Sequence, residues 1–169
     1  MQVITAVETL MGPDQPTVFL AGGITKCPDW QQTVIDKLAD VDDGVLLNPR
    51  RPNFPINDPN ASREQITWEF NALARAHVFA MWFSNSDSDQ PICMYELGRH
   101  LAIRELTNDM EHVLIGVEPG YRRLRDVYIQ VGLVCPKLAG QIVDNLDDHA
   151  ENIRRAVSDL CDQGLESIW

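Results

Sequence analysis

Four short apolar runs, each separated from the next by a stretch of helical periodicity, constrain this chain more than any other feature. They are Thr17 to Ala21 (TVFLA), Gly44 to Asn48 (GVLLN), His77 to Phe83 (HVFAMWF) and His112 to Val117 (HVLIGV). Continuous apolar runs of this length suit strands buried on both faces. Their alternation with helices is the signature of a parallel sheet with crossover helices. Residues 1–10 read as an edge strand or an N-terminal arm, and Gln141 to Val143 as a short last strand. The expected architecture is α/β: a flavodoxin-like or Rossmann-like, doubly wound, mainly parallel five-stranded sheet with about five helices. Residues 1–169 make a single domain, with 1–15 as its possible arm or edge strand.

The helices follow from spacing and punctuation. Residues 29–40 carry Trp30, Val34 and Leu38 on one face, with Pro28 near the start. Gly12-Pro13 and Pro16 punctuate the chain before the first run. Ser62-x-x-Gln65 reads as a capping box, followed by Ile66, Phe70 and Leu73 as a buried face. Residues 92–106 form a helix after Pro91. One of its sides carries Ile92, Ile103 and Leu106, the other Met94, Leu97 and Leu101; two apolar stripes suggest burial by the sheet and by a second subunit. Residues 122–134 read as helical, and 146–163 as an acidic amphipathic helix.

Composition narrows the function classes. A net charge of −11 argues against a broad nucleic-acid or anionic-membrane surface, which needs clustered Lys and Arg. Cys27, Cys93, Cys135 and Cys161 form no CxxC pair and stand at no metal-ligand spacing with histidine. Reduced thiols in the cytoplasm are the simplest reading. The first ten residues lack a basic n-region, and no apolar run reaches the roughly 18–20 residues of a membrane span. The expectation is a cytoplasmic protein that is neither secreted nor membrane-inserted.

In a doubly wound sheet, ligands bind beyond the carboxyl ends of the strands. Those ends are Gly22-Gly23, Pro49-Arg50-Arg51, Ser84 to Gln90, and Glu118 to Tyr121. The loop Pro49 to Asn60 holds four prolines and is too long for a casual connection. Glu96 sits in an early turn of a helix that begins at this edge, where the helix dipole favours its ionised form. An ionised carboxylate near an anomeric carbon can act as a nucleophile; spacing alone more often marks an acidic residue favouring a helix start. Glu69 borders the apolar stripe of its helix and either snorkels to solvent or points into a site. Asp87 and Asp89 are candidates for a general acid or a ribose-hydroxyl acceptor, and turn-forming Asp is the usual explanation of such a loop. Arg50 and Arg51 are candidates for binding phosphate or stacking on a base, with solvated surface arginines the alternative. Gly22-Gly23 lets backbone approach a ligand closely. No GxGxxG fingerprint, Walker A lysine motif, GxSxG elbow or HExxH is present.

In order along the chain stand VFLAGGI (18–24) with Trp30 following, LNPRR (47–51), QITWE (65–69), Trp82-Phe83 and ELG (96–98). Together they resemble the nucleoside 2-deoxyribosyltransferase-like superfamily, particularly its branch with an NPRR segment and a WE pair. The resemblance spans roughly residues 17–117. It implies a homo-oligomeric enzyme that needs no metal or organic cofactor and acts on a small-molecule nucleoside or nucleotide. The carboxylate of the ELG segment, Glu96, would attack C1′ of a 2′-deoxynucleoside, and a second base would then accept the sugar. Glu69 matches an acidic residue that helps protonate the departing base. Asp89 matches the acidic position before the nucleophile helix, with Gln90 almost equally well placed. Phe19, Gly22, Gly23, Asn48, Arg50, Arg51 and Asp87 would line the substrate. Phe19 stands where many transferases carry a tyrosine, and the partner-subunit asparagine has no clear match in residues 119–128. Arg122, Arg123 and Arg125 leave room for a 5′-phosphate. The rival readings are a 2′-deoxynucleoside 5′-monophosphate hydrolase, a non-catalytic nucleotide-binding module and, on fold alone, a redox flavoprotein.

Overall fold

A computed structural model describes residues 1–10, 15–55 and 57–164. The Gly12-Pro13 punctuation lies outside the described residues. The chain forms an α/β fold around a five-stranded, all-parallel sheet of order β1-β3-β2-β4-β5. The strands are β1 (Gln2–Thr5), β2 (Thr17–Gly22), β3 (Val45–Asn48), β4 (Val78–Phe83) and β5 (Val113–Val117). The helices are α1 (Trp30–Lys37), α2 (Ala61–Arg75), α3 (Pro91–Thr107), α4 (Leu124–Val134), α5 (Pro136–Ala139) and α6 (Leu146–Gln163).

Each central strand is buried on both faces and divides its side chains between two cores. In β2, Phe19 and Ala21 face the core covered by α2, α3 and α4, while Val18 and Leu20 face the core covered by α1 and α6. In β4, Phe79, Met81 and Phe83 go to the first core and Val78, Ala80 and Trp82 to the second. This two-sided burial is why the runs show no polar alternation.

At one sheet edge, residues 1–10 contribute β1, paired in parallel with β3. At the other, the expected last strand is reduced to a single bridge between Gly116 and Val143. The one-turn α5 was not anticipated, and a 3-10 turn at Met110–His112 takes the residue expected to open β5.

Two expectations are corrected in α2, and in α3 one of the two apolar stripes meets the sheet. The capping box does not form: Asn60 is the N-cap of α2 without a side-chain cap bond, and the Gln65 side chain turns elsewhere. Ile66 and Phe70 are not buried but 64% and 56% exposed; the sheet-facing residues are Trp68, Ala72 and Leu73. In α3 only the stripe of Leu97 and Leu101 is buried against the sheet. Ile92, Ile103 and Leu106 stand in solvent.

The end of the sheet away from the strand C-termini is held by a buried polar knot. Thr17 N–H donates to His77 Nδ1 at 3.0 Å, and the Thr17 hydroxyl donates to the Arg75 carbonyl at 3.0 Å. Arg104, buried, donates to the carbonyls of Ala76 (3.0 Å) and His77 (2.8 Å) and pairs with Asp109. Asp109 also pairs with His112. Burial lowers the pKa of His77 and of His112, which favours neutral rings within the knot.

The opposite end depends on close packing. Gly22 ends β2 at φ +153°, and a Cβ there would run into the Trp82 carbonyl and come within 2.6 Å of the Trp30 ring. Gly22→Ala is therefore expected to cost about 1–3 kcal/mol, the usual penalty of overpacking. A fall in Tm of several degrees in thermal unfolding would show it.

Candidate active site

The order of the strands reverses between β2 and β4. From β2 the chain crosses to β3 on one side, and then returns to lay β4 on the other. The loops leaving β2 and β4 therefore diverge, opening a crevice at their carboxyl ends. A cleft of about 270 Å³ occupies it.

Phe19, Gly22 and Gly23 reach this cleft from β2 and its loop, Pro49 from the loop after β3, Glu69 from α2, and Gln90, Cys93 and Glu96 from α3 and its approach. Glu69, Glu96, Phe19, Gly22 and Gly23, each singled out in the sequence, thus share one space. The Phe19 ring packs near Trp68, 6.4 Å between centroids, and gives one wall an apolar surface. Gly23 has no room for a side chain, since a Cβ would meet Cys27 Sγ and stand 2.6 Å from Gln90 Oε1.

The other nominated residues lie elsewhere. Asn48 is buried, and its Oδ1 accepts from the Arg50 N–H at 2.9 Å. The Arg50 guanidinium is spent within the protein: it donates to Gln31 Oε1 (3.0 Å), to the carbonyls of Gly23 (3.3 Å) and Pro28 (2.8 Å), and pairs with Asp29 (3.1 Å). Through these contacts Arg50 fixes the shape of the Gly23–Pro28 loop. Arg51 lies over the Phe54 ring at 5.7 Å. Asp89 turns outward to Arg122 at 3.3 Å, while the Tyr121 hydroxyl donates to the Asp89 carbonyl. Asp87 lines a wider polar crevice of about 720 Å³ with Lys26, Ser86 and Arg122. The loops that border the cleft, after β2 and after β4, border this crevice too.

Gln90, the alternative to Asp89 by spacing, is the one that faces the cleft. It precedes α3 in a left-handed conformation, φ 49°. Its Nε2 donates to the Ser84 carbonyl at 2.7 Å, and its Oε1 is buried with no partner among the described residues. A buried acceptor without a donor is costly, and here it borders the space a ligand would fill. The sequence signal for Gln90 was its place immediately before Pro91, the first residue of the helix.

Burial decides the charge state of the two carboxylates. Glu96 is pushed up to about 7, first by burial and then by the negative charge of Glu69, with Arg99 pulling the other way. The helix dipole, expected to favour its ionised form, acts weakly here: Glu96 is the sixth residue of α3, and dipole effects fade beyond the first turn. Glu69 is raised by burial and drawn back by a hydrogen bond from Gln65. Both carboxyls are thus raised, Glu96 the further of the two, and as neighbours they titrate as a pair.

Residues 15–113 match the family described as nucleoside 2-deoxyribosyltransferase like. The chain belongs to that family. The matched stretch contains every residue of the cleft and leaves α4, α5 and α6 outside it. The family implies a small-molecule nucleoside as substrate. Comparison with curated proteins finds no match. Among the described residues no helix is long and apolar enough to cross a membrane.

The raised pKa of Glu96 has a consequence for stability. Its ordinary value is 4.5 and its folded value about 7, so the unfolded chain loses this proton first. Stability is then full below the ordinary value, falls as pH rises between the two, and stays reduced above the folded one. Glu96→Gln is expected to be more stable than the parent at pH 8, by on the order of 2 kcal/mol. The gain should shrink towards zero on approaching pH 4.5. Urea unfolding of both proteins at the two pH values measures it.

Proposed function

We propose that the protein breaks the N-glycosidic bond of 2′-deoxynucleosides by a retaining double displacement and passes the sugar to a second base. The observation that carries this reading is the pair Glu96 and Glu69, coupled, largely buried and sharing one cleft at the switch point of the sheet. Retaining glycosyl transfer needs one carboxylate as nucleophile and a second group as proton donor. Two neighbouring carboxyls in one cleft supply both when Glu96 is ionised and the proton resides on Glu69.

In the first step a carboxylate oxygen of ionised Glu96 forms a bond to C1′. The bond from C1′ to the base nitrogen breaks, its electrons stay with the base, and Glu69 gives that base its proton. In the second step a nitrogen of the incoming base attacks C1′ and releases a proton to Glu69, and Glu96 leaves as carboxylate. Nothing is oxidised or reduced, and neither step calls on a metal or an organic cofactor. Phe19 offers its apolar face to the sugar or base, and Gln90 Oε1 accepts from a sugar hydroxyl.

The same reading makes the enzyme a homo-oligomer. Ile66 and Phe70 on α2, with Ile92, Tyr95, Ile103 and Leu106 on α3, form exposed apolar surface on neighbouring helices. Arg99 lies over the Phe70 ring at 4.8 Å and joins the two helices across it. Ile92 also borders the cleft, so a second copy on this surface would reach the rim of the site. Four free cysteines fit a cytoplasmic location. The NPRR, WE and ELG segments are our reason for assigning the chain to the branch that carries them.

A second reading is favoured by the polar crevice beside the cleft. Lys26 and Arg122 on its wall suit the phosphate of a deoxynucleoside 5′-monophosphate, with water in place of the second base.

The test is base release and exchange, followed by chromatography, on deoxynucleosides and their 5′-monophosphates with and without free adenine. Exchanged nucleoside identifies a transferase, and free sugar or sugar phosphate alone identifies a hydrolase. Glu96→Ala should lower turnover by about 10⁴-fold or more, as loss of a catalytic nucleophile does, while the protein remains folded. Wild-type protein that binds nucleotides yet turns none over would replace this reading by that of a binding module. With the enzyme active, kcat/KM should be bell-shaped in pH, because the reactive form has lost one proton from the carboxyl pair and kept the other.

A further inference from the structure

Gln65 lies one turn before Glu69 on α2 and caps nothing. Its Nε2 donates to the Pro49 carbonyl at 2.6 Å and to Glu69 Oε1 at 2.8 Å. An amide nitrogen carries two hydrogens, so both are spent on these contacts. Each of the two partners belongs to a cleft-lining residue, Pro49 on one wall and Glu69 on another. Gln65 Oε1, meanwhile, is buried with no partner among the described residues. An unpaired buried acceptor costs stability, and leucine or methionine at this position would avoid the cost while suiting a helix as well. What glutamine supplies and they do not is the pair of donors.

We infer that Gln65 is a positioning residue for the general acid: it ties Glu69 to the Pro49 wall through Oε1, so that Oε2 carries the proton delivered to the leaving base. The inference rests on the glycosidic reaction proposed above. A neutral carboxyl accepts hydrogen bonds best at its carbonyl oxygen and bears its proton on the other. With Oε1 engaged by an N–H, the protonated oxygen is Oε2, which has no protein partner among the described residues. Once the proton has gone, the same contact becomes a charge-assisted hydrogen bond to a carboxylate and strengthens. It therefore stabilises the state reached as the base departs more than the state before. Burial raises Glu69 and the Gln65 contact opposes it, in keeping with this role. The titratable neighbours of Glu69 are Glu96 and Cys93 on α3, with Arg99 acting on Glu96; β2 contributes uncharged Phe19 to the cleft, and the loop after β3 contributes Pro49.

The experiment compares wild type with Gln65→Met and Gln65→Leu on two substrates. One is 2′-deoxyguanosine, whose base must be protonated as it leaves. The other is 7-methyl-2′-deoxyguanosine, whose cationic base leaves without a proton. General acids contribute ~10²–10⁴-fold, and loss of positioning forfeits part of that. On 2′-deoxyguanosine both variants should show kcat lowered ~10-fold or more with KM little changed. The alkaline limb of their pH profile should lie at higher pH, because a contact favouring the ionised form of Glu69 has gone. On the methylated substrate they should match wild type. Equal losses on both substrates, or no loss on either, would overturn the role of Gln65 while leaving the glycosidic reading standing. If neither variant folds, Gln65 serves stability and the inference fails. Wild type that releases no base from either substrate would defeat the glycosidic reading itself. Carboxyl ¹³C titration of Glu69 in wild type and variants would then report on the contact without turnover, and an unshifted Glu69 would remove even the hydrogen bond's influence.

Discussion

The parallel pairing of β2 with β4 is the constraint on which the rest depends. Because the chain lays β3 to one side of β2 and β4 to the other, the two loops that follow these strands part company, and the gap between them is the cleft. The pairing is close at this end because Gly22 sits under the Trp82 carbonyl and the Trp30 ring. The Trp30 indole N–H then donates to the Gly23 carbonyl, and Arg50 donates to the same carbonyl from the neighbouring strand's loop. The backbone facing the cleft is thus set by three elements at once.

What the fold gains in position it gives up in stability. Two carboxyls in one low-dielectric space repel when both ionise, and each is costly to bury charged. The protein meets this with few counter-charges: Arg99 acts on Glu96, and Gln65 offers a neutral amide to Glu69. A nearer cation would steady the pair but would also hold both in the ionised form and remove the acid. The cleft leaves the pair short of compensation, and strain of this kind concentrates at functional sites.

Much of the architecture was legible in the chain. Four apolar runs marked four of the five strands because both faces of each are buried, and Glu69 and Glu96 emerged from the combination of segments rather than from either helix alone. The misreadings have a common physical origin. Ile66 and Phe70 share a face by helical periodicity, but Trp68, Ala72 and Leu73 form the face that meets the sheet; periodicity finds stripes and does not say which one meets the sheet. Ser62 and Gln65 have capping-box spacing, yet the glutamine finds donor work at Pro49 and Glu69, a tertiary arrangement that local spacing does not encode. The internal contacts of Arg50, which follows a strand at the ligand edge, were not legible either. Its partners Gln31, Gly23 and Pro28 are remote in sequence and become neighbours only through the sheet order. Asp89 and Gln90 are adjacent, and only the left-handed turn before α3 decides which side chain looks inward.

The buried knot around Arg104 implies that ionic strength acts unevenly on the molecule. Charges shielded from solvent are screened little by salt, whereas exposed pairs lose most of their attraction within a Debye length of about 8 Å at physiological ionic strength. Arg104 with Asp109 belongs to the first kind. The contacts of α6 with α1 and the turn after it, Lys37 with Asp147 and Arg154 with Asp40, are more exposed and belong to the second. Concentrated salt would loosen the polar seam between α1 and α6 and leave the junction of β2, β4 and α3 intact. The helix that carries Glu96 is anchored at its far end by the contact that brine disturbs least.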